Sequence, residues 1–228
     1  MANSITDRCL EADDAWPIID LFESLDESAI DSEVVAAALP AIDRVIEMQG
    51  SATISFAAQA IVLALKSRNE IETAKEVLAR SLNALRDQHD DGFHQAMIVV
   101  VGLAASPLDE NGIGHPEIVH PHIDFILSAD TDNSHELEGL CDIIAQNKLL
   151  DLDDFIKLAK KLEEKDLSVT QLCKLAMNVN GDNEKYIGGW NVGDAAWATE
   201  ILRRAEPLAK AKGEKQDLNL AKEVVGIS

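Results

Sequence analysis

Aromatic residues are scarce in this sequence, and so are proline and glycine. Phe, Trp and Tyr make up 4% of the 228 residues, although 46% of the chain is hydrophobic. The core must therefore consist mainly of Ala, Leu, Ile and Val, a composition that favours closely packed helices. Six prolines and twelve glycines are too few for an all-β chain with frequent turns. We predict an all-α protein with a buried core.

Cysteines are also few, and long apolar runs are missing. The three cysteines, Cys9, Cys141 and Cys173, form no CxxC pair and no Cys/His zinc spacing. We interpret them as reduced, buried thiols of a cytoplasmic protein. The N-terminal residues contain no apolar signal core. The longest apolar runs have about ten residues, too short to cross a bilayer, so we expect no membrane partner.

Basic residues are missing from two long segments. The net charge is −21, and residues 1–43 hold 11 acids and one base, while residues 87–154 hold 15 acids and one base. The other segments are close to neutral. Such a surface repels nucleic acid and anionic membranes, and it attracts a basic protein or a cation. We therefore expect no nucleic-acid partner.

Helical periodicity and capping signals predict a succession of helices. They cover approximately residues 15–25, 33–49, 52–66, 69–88, 93–105, 122–128, 194–212 and 218–225, with three more beginning near 133, 151 and 168. Pro40 should kink one of them and Pro207 another. Asn69, with Glu72 three residues later, should cap the helix that follows it, and Ser168 with Gln171 has the same spacing. No convincing strand is present.

The predicted helices form hairpins that begin near residues 32, 69, 116 and 152. Polar-faced helices alternate with nearly all-apolar ones, as in stacked αα-hairpin arrays. The fragment FAAQAIVLAL at 56–65 looks like the second helix of a HEAT repeat. We predict an irregular HEAT/armadillo-like superhelix, with a compact helical bundle as the alternative. One domain should span 1–228, with 1–14 open to fraying and 106–121 as a long acidic loop.

All six histidines lie between residues 89 and 135, and the sharpest local motif opens that stretch. Residues 89–94 read His-Asp-Asp-Gly-Phe-His. The pair His89-Asp90 resembles the core pair of HD-type phosphohydrolases, an all-helical family. That resemblance implies a divalent metal held by imidazole and carboxylate ligands, with His94 nearby. The family takes a further histidine from upstream, and no histidine precedes His89 here. The alternative is a solvated acidic turn between two helices.

A second histidine group follows in the predicted loop. His115, His120 and His122 lie near Glu117 and Asp124, without a standard metal-ligand spacing. They are either additional ligands of a divalent transition metal or loop histidines that cap helix ends. Carboxylates raise a histidine pKa, so the group also suggests a pH-sensitive region. The candidate metal ligands are His89, Asp90, His94, His115, His120 and His122.

The acidic loops and one aromatic turn are candidates for partner contacts. These residues are Asp109, Glu110, Asp130, Asp132 and Trp190. Trp190 stands in a glycine-rich stretch that is neither a phosphate-binding loop nor a dinucleotide fingerprint. No GxSxG motif and no local Cys/His pair supports nucleophilic catalysis.

We therefore expect a non-enzymatic, cytoplasmic, α-helical module that binds another protein, one with a basic surface, through acidic residues. No cofactor is expected, and the oligomeric state stays open. The first alternative is a metal-dependent hydrolase with a His/Asp site within 89–135. The second is an acidic DNA mimic that occupies a nucleic-acid-binding protein.

Overall fold

A computed structural model describes most of the chain. The described residues are 4–25, 30–48, 50–88, 90, 92–105, 115–122, 138–139, 141–144, 152–180 and 193–227. Throughout these ranges the regular structure is helical and contains no strand, so the all-α prediction is confirmed. Within the same ranges no helix is long and apolar enough to cross a bilayer. The chain forms two compact units, residues 1–122 and 123–228. A single domain over 1–228 stays a prediction.

The first unit is built around its fourth helix. Its elements are α1 (Ile5–Leu10), α2 (Trp16–Glu23), α3 (Asp31–Met48), α4 (Ser51–Lys66), α5 (Ile71–Leu85), α6 (Phe93–Ala105), α7 (Pro116–Val119) and a 3-10 turn (His120–His122). Helix α4 contacts α2, α3, α5 and α6, and α3 also contacts α5. Four buried alanines of α4 allow these neighbours to approach closely: Ala57, Ala58, Ala60 and Ala64. This unit therefore has its core along α4.

Helix α1 lies within the segment for which we expected fraying. Ser4 caps it: the Asp7 N–H donates to Ser4 Oγ at 3.1 Å, and the Ser4 N–H donates to Asp7 Oδ2 at 3.2 Å. This capping box satisfies two otherwise unpaired donors. Cys9 anchors the helix because its side chain is buried. Burial also raises the pKa of the Cys9 thiol to about 11.

The prediction that Asn69 caps α5 is wrong. The N-cap position belongs to Glu70, which makes no side-chain capping bond, and Asn69 has a φ of 59°. Asparagine tolerates this left-handed conformation, which commonly ends a helix. The Glu70 N–H donates to the Leu65 carbonyl at 3.0 Å, and the Asn69 N–H donates to the Lys66 carbonyl at 3.0 Å. Asn69 therefore ends α4. Helix α3 continues through Pro40, and a kink there stays a prediction.

The second unit is arranged around one buried helix. Its elements are a helical stretch at 141–144, α8 (Leu152–Glu163), α9 (Val169–Asn180), α10 (Ala195–Ala205) and α11 (Lys212–Val225). Helix α9 contacts α8, α10 and α11. The capping box predicted for α9 is confirmed: the Ser168 N–H donates to Gln171 Oε1 at 2.9 Å, and the Gln171 N–H donates to Ser168 Oγ at 3.3 Å.

The single long helix predicted over 194–212 is wrong. Helix α10 ends at Ala205, two residues before Pro207, and α11 begins at Lys212 rather than near 218. A residue that precedes proline is disfavoured in the helical conformation, so the chain turns there instead of kinking. Glu214 then organises the start of α11 by accepting the backbone N–H groups of Lys210 and Ala211, each at 2.8 Å. The repeat or superhelix arrangement of these helices stays a prediction.

Candidate functional site

Helix α4 has one solvent-exposed stripe on an otherwise buried surface. Phe56 and Leu63 lie on it and are 45% and 52% exposed. Gln59 and Lys66 belong to the same stripe, since positions three and four residues apart share a helix face. Helix α4 is therefore buried on most sides except along this stripe, where two large apolar side chains face solvent.

Helix α2 has a matching amphipathic pattern. Its buried side chains pack toward the core: Ile18, Ile19, Leu21 and Phe22. Trp16, Asp20 and Glu23 follow at helical spacing on the exposed side. The Trp16 ring is 50% exposed, and its centroid lies 5.8 Å from that of Phe56. The Trp16–Phe56 pair thus continues the exposed apolar surface of α4 onto α2.

A groove of about 440 Å³ lies between these two helices. Its lining residues are Phe22, Glu23, Leu25, Phe56, Gln59, Ala60, Leu63, Ala64 and Ser67. Ala60 and Ala64 are buried and too small to fill the space beside them, which leaves a depression between the larger side chains. Contiguous exposed apolar surface of this kind commonly marks an interaction site. We refer to these nine residues as the α2–α4 groove.

The α2 side of the groove is acidic. Asp20 and Glu23 are exposed on α2, and Asp13 and Asp14 precede it. One Asp14 carboxylate oxygen accepts the backbone N–H of Trp16 at 3.1 Å. Of these four carboxylates, Glu23 lines the groove, and Asp20 lies one turn before it on the exposed side of α2.

Positive charge near the groove comes from the end of α4. Lys66 is exposed on the last turn of that helix. Arg68 follows it, but its guanidinium pairs with Asp31 at 3.0 Å and donates to the Ala64 carbonyl at 2.8 Å. The charge of Arg68 is therefore offset, and the acids beside the groove outnumber the remaining base.

Asp90, a candidate metal ligand, forms the N-terminal cap of α4. Its Oδ2 accepts the Ser51 N–H at 2.8 Å, across 39 residues of sequence, and its Oδ1 accepts the Gly92 N–H at 3.1 Å. The local N-cap residue, Gly50, has no side chain for this role. The hydrogen bond from Ser51 lowers the pKa of Asp90, and the one from Gly92 adds to the effect.

The histidines fall into different environments. His115 is buried, and its Nδ1 lies 3.1 Å from Glu117 Oε1, while Lys75 Nζ lies 3.4 Å from the same oxygen. His122 is buried too, whereas His120 is exposed. Burial lowers the pKa of His122, and the positive charge of Arg86 lowers it further. His115 Nε2 and His122 Nδ1 are buried without a hydrogen-bond partner.

The remaining candidates lie outside what the structure describes. These are His89, the side chain of His94, and all five proposed contact residues: Asp109, Glu110, Asp130, Asp132 and Trp190. In the described ranges, no group of three His, Cys, Asp or Glu side chains is arranged to hold a metal ion. The metal site and the acidic contact surface around 87–154 both stay predictions.

A polar cluster in the second unit joins the 138–144 region to α9. Lys174 Nζ lies 2.5 Å from Glu138 Oε1 and 3.6 Å from Asp142 Oδ2, and Asn178 Nδ2 donates to Asp142 Oδ1 at 2.5 Å. Burial raises the pKa of Asp142 despite the Asn178 hydrogen bond and the Lys174 charge. Because these groups pair with one another, we assign the cluster a structural role.

The sequence reasoning missed Phe56 and Leu63. The signal that identifies them is Gln59 and Lys66, seven residues apart, since these polar side chains mark the solvent stripe of an otherwise apolar helix. Phe56 and Leu63 fall on that stripe. Comparisons of the chain with known protein families, with curated proteins and with solved structures gave no match.

Proposed function

We propose that this protein is an interaction module that binds an apolar helical segment of a partner protein in the α2–α4 groove. One observation carries the proposal: Phe56 and Leu63, on the helix around which the first unit is built, are half exposed and line a depression. Large apolar side chains around a concave surface are typical of grooves that accept an amphipathic helix.

The groove also supports the proposal energetically. Since each of Phe56 and Leu63 is about half exposed, covering the rest of either side chain contributes about 1 kcal/mol. Trp16 adds a third anchor beside Phe56. Aromatic anchors near the centre of an interface commonly dominate binding energy. Phe56 and Trp16 are two such aromatic anchors, and Leu63 adds an aliphatic one.

The test is selection of helical peptides from a displayed random library on the full chain. We expect the enriched peptides to compete with one another for one site. Leu63→Asp should weaken their binding at least about ten-fold, because it buries an unpaired carboxylate under the peptide.

Leu220→Asp is the matched control. Leu220 lies on α11 and is 54% exposed, close to the value for Leu63, but it does not line the groove. Circular dichroism should show unchanged helix content in both variants, since both side chains are exposed. Equal loss of binding in the two variants, or no enrichment of peptides at all, would overturn the proposal.

The charge and the cysteines support proposals on the cellular location and the class of partner. We place the protein in the cytoplasm, because its three cysteines are free and buried. The net charge of −21 supports a protein partner rather than a nucleic acid. We further propose that the helices stack as αα-hairpins, which is supported by the contacts of α4 with α3, α5 and α6.

A further inference from the structure

We infer that the occupant of the α2–α4 groove is a basic amphipathic helix, with lysine or arginine on the side that faces α2. This inference rests on the proposed function and adds the conformation and the charge of the partner segment. Three features of the first unit lead to it: the nature of the groove walls, the length of the groove and the carboxylates along one edge.

The groove walls favour a helix over an extended strand. Both walls are α-helices, whose backbone groups are already used within each helix. A bound strand needs backbone partners at a sheet edge, and these walls offer none. A bound helix makes its backbone hydrogen bonds internally, so it needs only side-chain contacts with the groove. The lining residues of α4 run from Phe56 to Ala64, and Ser67 follows at the C-cap, about 16 Å in all along the axis, so an occupant of three turns fits.

The carboxylates decide the charge of the occupant. Asp20 and Glu23 are exposed on one side of α2, with Asp13 and Asp14 beyond Trp16, against the single base Lys66 on α4. An acidic helix placed in the groove would face like charges at close range. A basic helix would place its cations beside Asp20 and Glu23, which speeds encounter and strengthens binding.

The same charges disfavour a second copy of this chain as the occupant. Each copy has a net charge of −21, and the segment that contains α2, residues 1–43, holds 11 acids and one base. Two such surfaces repel when they approach. A separate basic partner relieves that repulsion, so charge complementarity selects it over self-association.

Two synthetic peptides of about sixteen residues test the inference, since that length covers the groove with one turn to spare. Both have the same leucines at positions i, i+3 and i+7, and their remaining positions are rich in lysine in one peptide and in glutamate in the other. Fluorescence anisotropy with the full chain gives each affinity. We expect the lysine peptide to bind at least about five-fold more tightly, as two exposed ion pairs provide, and to weaken as salt rises.

A double variant locates the effect on α2. Asp20→Asn with Glu23→Gln should remove most of the preference for the lysine peptide. The control is Glu164→Gln with Asp166→Asn, which removes the same charge from two exposed acids of the second unit. If both double variants lost the preference for the lysine peptide equally, the inference would be overturned, because the preference would then reflect net charge alone.

The outcomes separate this inference from the proposed function. If both peptides bind alike, or if neither binds while library peptides still bind through Leu63, the basic helix is excluded and the groove remains a binding site. If the chain alone sediments as a dimer that Leu63→Asp converts to a monomer, a second copy is the occupant and the inference fails. If the library also yields nothing, the proposed function fails first.

Discussion

Replacing Asp90 tests whether a residue far away in sequence holds the N-terminus of the central helix. Asp90→Ala removes acceptors for the N–H groups of Ser51 and Gly92. Ser51 is buried, so water cannot fully replace the acceptor that its backbone N–H loses. Loss of an N-cap costs about 1 kcal/mol, and loss of a charge-assisted bond costs more. Because Asp90 itself is exposed, solvent weakens its interactions, and we expect a total of about 1 to 2 kcal/mol.

Asp90→Asn removes the charge and keeps one acceptor. The amide oxygen accepts one of the two N–H groups, so one hydrogen bond and the favourable interaction of the charge with the helix end are lost, together about 1 kcal/mol. The stability of the variants should therefore decrease in the order wild type, Asp90→Asn, Asp90→Ala. Urea unfolding followed by circular dichroism measures the free energies, and hydrogen exchange over residues 50–56 shows whether the first turn of α4 opens.

The pH dependence gives an independent check. The hydrogen bonds lower the pKa of Asp90 in the folded state below its ordinary value of 3.8. The contribution of the carboxylate is therefore complete above 3.8 and is lost as the pH falls through the folded-state pKa. The difference between wild type and Asp90→Asn should shrink over that acidic range.

Asp87→Ala is the matched control, because Asp87 is exposed and lies three residues earlier. An Asp90→Ala variant no less stable than Asp87→Ala would refute the capping role. So would an unchanged exchange rate at the start of α4.

Three further predictions concern other described residues. Ser168→Ala should lower the free energy of unfolding by about 1 kcal/mol by removing the cap of α9, whereas Ser168→Asp should retain most of it in urea titrations. Burial lowers the folded-state pKa of His122, so the unfolded state binds the proton more readily. The free energy of unfolding should therefore decrease below pH 6.5, by at most about 1.4 kcal/mol per pH unit. His122→Gln should flatten this slope and His120→Gln should not. After metal-replete growth, elemental analysis should give less than one transition-metal ion per chain; a stoichiometric metal lost in His115→Ala would favour the hydrolase.

The parts of the fold that could be predicted are those set by local sequence. Apolar runs located α4 and α6 to within a residue, and the start of α8 lies one residue from the predicted one. The Ser168 capping box lies in a short window of sequence. Asn69 was misassigned because asparagine suits both an N-cap and a left-handed helix end. The sequence does not show whether it begins α5 or ends α4. Pro207 was read as a kink, although proline also ends helices.

The candidate site depended on contacts that sequence spacing does not reveal. Asp90 looked like a metal ligand beside His89, yet its described hydrogen bonds include one to Ser51, 39 residues away. Phe56 and Leu63 looked like core residues because α4 is apolar around most of its circumference. Which stripe of α4 stays exposed is decided by where α2, α3, α5 and α6 pack against it, and that is a tertiary property.

The net charge of the chain limits self-association through the exposed apolar groove. A half-exposed Trp16, Phe56 and Leu63 in one region would favour self-association in a neutral protein. The net charge of −21 opposes that association, because copies repel before their apolar surfaces meet. In our proposal, the same charge attracts a basic segment of a partner to the groove. Neutralising substitutions beside the groove should therefore weaken binding of a basic helix and promote self-association together, two effects that a groove without function would not link.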